Sequence, residues 1–144
     1  MNLETIDLGT RTLIAIVIGG LANFMVGALW YMALFQKPWM AAIGRTADEF
    51  KDKSPSSGML ITLLGCIVST FALAVVFQWG GGVSIWDGVL VGLLLGLGIA
   101  AMEALKPAVY NFDQRVKAWS LYAINASYAV LGTVVAGFVY ALIA

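Results

Sequence analysis

The chain has 144 residues, of which 61% are hydrophobic and 11% are charged, and its formal net charge is zero. A soluble domain has about half of its residues apolar and about a quarter charged, and a chain this short could not hide so much apolar surface in one core. The balanced charge gives no basis for a nucleic-acid partner.

The sequence contains no histidine and a single cysteine, Cys66. Haem ligation through imidazole, a Ser-His-Asp triad and histidine-rich zinc sites are therefore excluded. No cluster of carboxylates lies close together in the sequence, so we expect neither a metal site nor a cofactor, and no enzymatic activity.

Charged residues divide the chain into four apolar stretches, and a membrane crossing takes about 20 helical residues. The third stretch, between Asp87 and Glu103, is short and fits only if these two acids lie at or just inside the two interfaces. The sequence predicts a single domain, residues 1–144, that is an all-α integral membrane bundle of four transmembrane helices. We expect the spans at about residues 12–34, 58–78, 86–106 and 118–142.

The connection between the first two spans is predicted to contain one short interfacial helix. Trp39, Ile43, Ala47 and Phe50 recur at helical spacing with charged residues between them, a pattern typical of a helix that lies on a membrane surface.

Lysine and arginine are distributed unevenly between the two sides of the predicted bundle. Loop 35–57 holds four of them and residues 106–117 hold three, whereas only Arg11 lies on the opposite side. The positive-inside rule then predicts that loops 35–57 and 107–117 are cytoplasmic and that both termini lie outside.

Small residues form a strip along each span. In the third span Gly88, Gly92, Gly96 and Ala100 recur at every fourth position, so on a helix they share one face. Close approach of backbones over such faces drives helix association in lipid, and we expect the third span to be the central contact helix of the bundle. The equivalent packing residues of the first and last spans are Gly19, Gly27 and Gly137.

A few polar side chains lie inside the predicted spans, and each has two interpretations. Glu103 either lines a transport pathway, as an intramembrane carboxylate suggests, or pairs near the interface with Lys106 or Arg115. Asn23 and Asn125 either form interhelical hydrogen bonds or line a polar cavity with Tyr128 and Glu103.

Two blocks of sequence carry a resemblance to a known family. The stretch from Gly27 to Met40, GALWYMALFQKPWM, resembles the G-x-x-W-Y-x-x-x-F-x-K-x-W signature of the DUF1761 family of small bacterial membrane proteins. A later segment is similar to that family's second block, F-x-x-R followed by N-x-x-Y; its matching residues are Phe112, Arg115, Asn125 and Tyr128.

The resemblance implies four spans in a bacterial cytoplasmic (inner) membrane and carries no established activity. The residues of the first block have two interpretations. Aromatic and basic side chains at a helix end fix its depth at the membrane interface, or they form a site for a lipid head group or a partner. The residues concerned are Trp30, Tyr31, Lys37, Trp39 and Arg115.

These observations favour a non-enzymatic membrane protein whose role is packing. Its expected partners are the lipid bilayer and either a second copy of itself, giving a homo-oligomer, or a larger membrane assembly in which it is an accessory subunit. The alternative is a small transporter or channel with Asn23, Glu103, Asn125 and Tyr128 along a polar pathway.

Overall fold

The computed structural model describes residues 6–50 and 56–144. Within them it contains four helices that are long and apolar enough to cross a membrane, as the sequence predicts: Thr10–Leu34, Ser57–Trp79, Ile85–Val109 and Ala118–Ile143. We refer to them as the first to fourth spans. The predicted all-α bundle of four apolar helices is confirmed.

Two of the spans contain a π-helical turn. The first span consists of α1 (Thr10–Leu29) and a π turn (Trp30–Leu34), and the third consists of α4 (Ile85–Leu95), a π turn (Gly96–Ala100) and α5 (Ala101–Val109). The second span is part of α3 (Ser56–Trp79), and the fourth is α6 (Ala118–Ile143). We call the side with Asp7 and Ala144 the terminal end, and the side with the two long connections the loop end.

The third span begins with a capping box. The Ser84 hydroxyl accepts a hydrogen bond from the Asp87 backbone N–H at 3.2 Å, and the Asp87 carboxylate accepts one from the Ser84 N–H at 2.9 Å. The two bonds satisfy backbone donors that would otherwise have no partner at the helix start.

The central helix of the bundle is α6, which packs against α1, α2, α3 and the third span. The third span packs mainly on α6 and touches α3 more sparsely, so its expected central position is wrong. The reason lies in α6, which carries small residues on two faces: Gly132 lies against α1, and Gly137 lies against α4.

The glycine strip of the third span faces α6. A Cβ atom on Gly88 would overlap the carbonyl oxygen of Gly137, and one on Gly92 would lie 2.8 Å from the Cα of Val134. Gly96 meets Val130 in the same way, with its added Cβ 2.8 Å from the Val130 Cα. Backbones therefore touch along this crossing, and side chains at these positions would push the helices apart.

The first span approaches both α3 and α6 through adjacent glycines. An added Cβ on Gly19 would lie 2.9 Å from the Cγ2 of Thr70 and 3.1 Å from the carbonyl oxygen of Ala136. On Gly20, which the predicted strip omits, it would lie 2.7 Å from the Cα of Ile67. These two contacts mark the point at which α1 crosses α3.

The apolar core occupies the terminal half of the bundle. There Leu73 and Phe77 of α3 pack with Tyr140 of α6 and with Ala15 and Ile16 of α1. Towards the loop end α3 leaves its neighbours, since residues 57–62, 64 and 65 are all exposed. The bundle is thus tightly closed at one end only.

The predicted single helix after the first span is interrupted. The structure has α2 (Gln36–Ile43) and a separate 3₁₀ turn (Ala47–Phe50), because Gly44 adopts a left-handed conformation with φ of 66° and ends α2. Ala42 is 1% exposed, and its carbonyl accepts the Lys117 N–H at 2.8 Å. Hence α2 is fastened to the start of α6.

Candidate functional site

A cluster of polar side chains lies where the first span, α3 and α6 meet. The Tyr128 hydroxyl of α6 is 3.5 Å from Asn23 Oδ1 and 3.8 Å from Cys66 Sγ. Asn23 and Cys66 are each 6% exposed, so three helices meet at one phenol group. We call these three residues the central cluster.

Two glycines make room for the central cluster. A Cβ on Gly27 would lie 2.9 Å from the Tyr128 hydroxyl, and one on Gly132 would overlap Asn23 Oδ1. Larger residues at either position would displace the side chains that make the cluster. The small-residue strips of the first and fourth spans therefore leave space for polar side chains here, in addition to allowing the two helix backbones to approach each other.

A second layer adjoins the central cluster on its loop side. Tyr31 donates a hydrogen bond to Asn125 Oδ1 at 2.9 Å, and its ring meets that of Tyr128 edge to face with centroids 5.2 Å apart. Trp39 of α2 also contacts Tyr31, with ring centroids 5.7 Å apart. Tyr31 is therefore held by two aromatic contacts while its hydroxyl orients Asn125.

The π turn of the first span brings consecutive residues onto α6. The Trp30 indole N–H donates to the Ile124 carbonyl at 3.0 Å, directly beside the bond from Tyr31 to Asn125. The Phe35 ring stacks on Trp30 with centroids 4.4 Å apart, and the Phe35 N–H donates to the Trp30 carbonyl at 2.7 Å. Aromatic residues expected at the membrane interface thus contact the neighbouring helix.

The basic residues expected beside these aromatics are exposed. Lys37 is exposed, and Arg115 forms an ion pair with Asp113 at 3.2 Å with 84% of its side chain exposed. The hydrogen bond from Arg115 lowers the pKa of Asp113 and, reciprocally, raises the pKa of Arg115. An exposed pair of this kind contributes little to stability.

Glu103 lies outside the central cluster. Both of its carboxylate oxygens accept hydrogen bonds from Lys106 Nζ at 2.7 Å, and the two side chains are 63% and 66% exposed. The sequence allowed two interpretations of Glu103, a transport pathway or an ion pair near the interface. The structure contains the ion pair, which Glu103 forms with Lys106 three residues later in the same helix. Asn23, Asn125 and Tyr128 are brought close together without the acid.

The terminal end carries a polar contact that the sequence analysis missed. Gln78 donates to the Tyr140 hydroxyl at 3.0 Å and to the Asp7 carbonyl at 3.2 Å, and it accepts the Asp7 N–H at 2.7 Å. Beside it, Thr12 donates to the Asp7 carboxylate at 3.3 Å. The signal for this contact was a glutamine at the end of an otherwise apolar span.

The chemistry of the central cluster and its second layer is that of hydrogen bonding. Their polar groups are two amides, two phenols and a thiol, none of which is charged at neutral pH in its ordinary state. Throughout residues 6–50 and 56–144, no group of three or more His, Cys, Asp or Glu side chains is placed to hold a metal ion. The arrangement joins helices and can bind a neutral polar group.

Comparison with known proteins identifies a family whose model matches the chain. Neither the curated proteins nor the solved structures compared with the chain give a match. The model of a family described as a protein of unknown function, DUF1761, matches residues 14–141. That match covers both sequence blocks that meet at Asn125 and Tyr128, and the chain belongs to the DUF1761 family.

Proposed function

We propose that this chain is a non-enzymatic membrane protein that works by packing, and that it associates with a second copy of itself through α3. The observation that carries the proposal is an uncovered strip of small residues. Gly58, Thr62, Gly65, Ser69 and Ala72 are all exposed. A Cβ added at Gly58 or Gly65 would meet nothing within 4 Å.

The strip on α3 differs from the other small-residue faces of the chain. Gly88, Gly92 and Gly96 lie against α6, whereas Gly58 and Gly65 face open space in the described part of the chain. Glycine weakens a helix by roughly 1 kcal/mol relative to alanine, and a second backbone in close contact would offset that cost.

The spacing of the strip suits a parallel pair of helices. Its residues alternate steps of four and three, an average of 3.5, which is the period of left-handed helix pairs. Thr62 donates its hydroxyl to the carbonyl of Gly58 at 2.8 Å, so burying the strip leaves that hydroxyl satisfied. Two copies inserted in the same direction would present this strip to each other across a two-fold axis.

The experiment is the subunit count of the full chain in lipid bilayers, by single-molecule photobleaching, for wild type and Gly65→Leu. We expect a dimer for wild type and a monomer for Gly65→Leu, with unchanged helicity because the position faces open space. The matched control is Gly98→Leu, at an exposed glycine of the third span with nothing within 4 Å, which should stay dimeric. A monomeric wild type, or a dimeric Gly65→Leu, contradicts the proposal.

An accessory role in a larger assembly is the related form of this proposal, with another membrane protein on the same strip. Purification in mild detergent distinguishes the two, because a stable heteromer lost in Gly65→Leu supports the accessory role and a homodimer supports self-association.

The transport alternative is less well supported. Glu103 lies outside the central cluster, and Leu73, Phe77 and Tyr140 fill the terminal half.

We further infer that the chain resides in a bacterial cytoplasmic membrane with its loop end in the cytoplasm and both termini outside. The support is the distribution of lysine and arginine, seven of which belong to the two connections and their flanks and one of which, Arg11, lies at the opposite end.

A further inference from the structure

A small cavity lies between α5 and the start of α6, at the loop end of the bundle. Its volume is about 90 Å³, and it is partly open to the surface. Its wall includes Ala104, Pro107 and Ala108 on one side and Leu121, Tyr122 and Asn125 on the other. No residue of α3 belongs to the wall, so the cavity is independent of the self-association proposed above.

The two walls differ in chemistry. The α5 wall presents methyl groups and a proline ring, and Pro107 has no backbone N–H to donate. The α6 wall includes two residues with polar groups, Asn125 and Tyr122. The cavity is therefore apolar on one side and able to form hydrogen bonds on the other.

The Asn125 amide is oriented so that its donors remain available. Its oxygen accepts the Tyr31 hydroxyl at 2.9 Å, and the Tyr31 ring contacts those of Trp39 and Tyr128. Within residues 6–50 and 56–144, no hydrogen bond occupies the Asn125 NH₂ group. An amide whose oxygen is fixed in this way offers N–H donors to a ligand that accepts hydrogen bonds.

The depth of the cavity indicates which acceptor it meets. The ion pair of Glu103 and Lys106 is exposed on α5, beside the wall residues Ala104 and Pro107, and charged side chains at a span end mark the membrane interface. At that depth the acceptors that a phospholipid supplies are the ester carbonyls joining its chains to glycerol. An ester group has three heavy atoms and is small enough to enter a cavity of about 90 Å³.

We propose that this cavity binds the ester linkage of a membrane phospholipid, with the Asn125 amide donating to the ester carbonyl and Tyr122 as a second donor. The apolar α5 wall then contacts the first methylene groups of the acyl chain. The residues that fix Asn125, which include Tyr31 and Trp39 of the first family block, would serve to hold this donor in place.

The test compares two phospholipids that differ only in the proposed acceptor. Full-length protein in mild detergent is incubated with phosphatidylethanolamine bearing ester-linked chains and with its ether-linked counterpart of equal chain length, and bound lipid is counted by native mass spectrometry. We expect wild type to retain the ester lipid about fivefold better, the ratio that one neutral hydrogen bond supplies. Equal retention of the two lipids by wild type overturns the proposal.

Three variants test whether Asn125 is the source of the preference for the ester-linked lipid. Asn125→Leu should retain both lipids equally, whereas Tyr31→Phe, which keeps the amide but loses the bond that orients it, should keep a reduced ester preference. Ser127→Ala alters the separate open groove beside Leu97 and Val130 and should also keep the preference. An ester preference that persists in Asn125→Leu, or that disappears in Ser127→Ala, contradicts the assignment.

Discussion

Gly44 is the residue whose substitution tests how α2 is fastened to α6. Its φ of 66° is left-handed, and an added Cβ would lie 2.6 Å from the carbonyl oxygen of Arg115. Gly81 has nearly the same φ, 69°, but nothing within 4 Å of its added Cβ, so it isolates the cost of the backbone conformation.

We expect Gly81→Ala to lower the free energy of unfolding by about 1–2 kcal/mol, the cost of a left-handed alanine. Gly44→Ala should cost about 1–3 kcal/mol more, because the Arg115 carbonyl must also move. Unfolding in mixed detergent–SDS micelles measures both values. Equal losses for the two variants would show that α2 is not held against the α5–α6 loop.

Single residues were predictable from the sequence to a limited extent. The polar positions Asn23, Asn125 and Tyr128 were identified because polar groups in an apolar span need partners, and all three have hydrogen-bond partners in the structure. Their partners Tyr31 and Cys66 were not paired with them in advance. Such pairings depend on the relative rotation of helices, which periodicity within one helix does not specify.

At the scale of single elements, the third span offers a pair of glycines with opposite surroundings. An added Cβ on Gly92 would lie 2.8 Å from the Val134 Cα, whereas one on Gly98 meets nothing within 4 Å. Gly92→Ala should therefore destabilise the bundle by about 1–3 kcal/mol. Gly98→Ala should be neutral or stabilising by up to about 1 kcal/mol, because alanine favours helix.

Thermal unfolding of the two variants in the same detergent decides this prediction. The expected result is a lower midpoint for Gly92→Ala alone. If Gly98→Ala were the more damaging variant, or if Gly92→Ala unfolded like wild type, the close contact between α4 and α6 would be wrong.

The four spans were predictable because their apolar composition and length are properties of each segment alone. The central role of α6 was not. A glycine strip such as Gly88, Gly92 and Gly96 indicates that a helix has a close neighbour, but it does not show how many helices that neighbour itself contacts. The helical spacing of Trp39 and Ile43 continues to Ala47 across Gly44, so periodicity alone does not show the break that the left-handed Gly44 makes.

At the scale of the whole molecule, packing is uneven from end to end. Leu73, Phe77 and Tyr140 close the terminal half, and Gln78 links α3 to α6 there. In the loop half α1 and α6 remain joined through Tyr31 and Asn125, while α3 moves away. Both proposals follow from this asymmetry, since Gly58, Thr62 and Gly65 of the strip and the whole of the lipid cavity lie in the less tightly packed loop half.

The orientation of the molecule in the membrane gives the remaining prediction. Val83 is 92% exposed at the terminal end, Gln114 is exposed in the loop between α5 and α6, and the native Cys66 is 6% exposed. Because loops rich in lysine and arginine stay in the cytoplasm, a membrane-impermeant maleimide should label Val83→Cys in intact cells. It should label Gln114→Cys only in inverted vesicles, and wild type in neither preparation, since the Cys66 thiol is buried. The reverse pattern for the two variants would place the termini in the cytoplasm and overturn the inferred topology, while leaving the packing of α1, α3 and α6 unchanged.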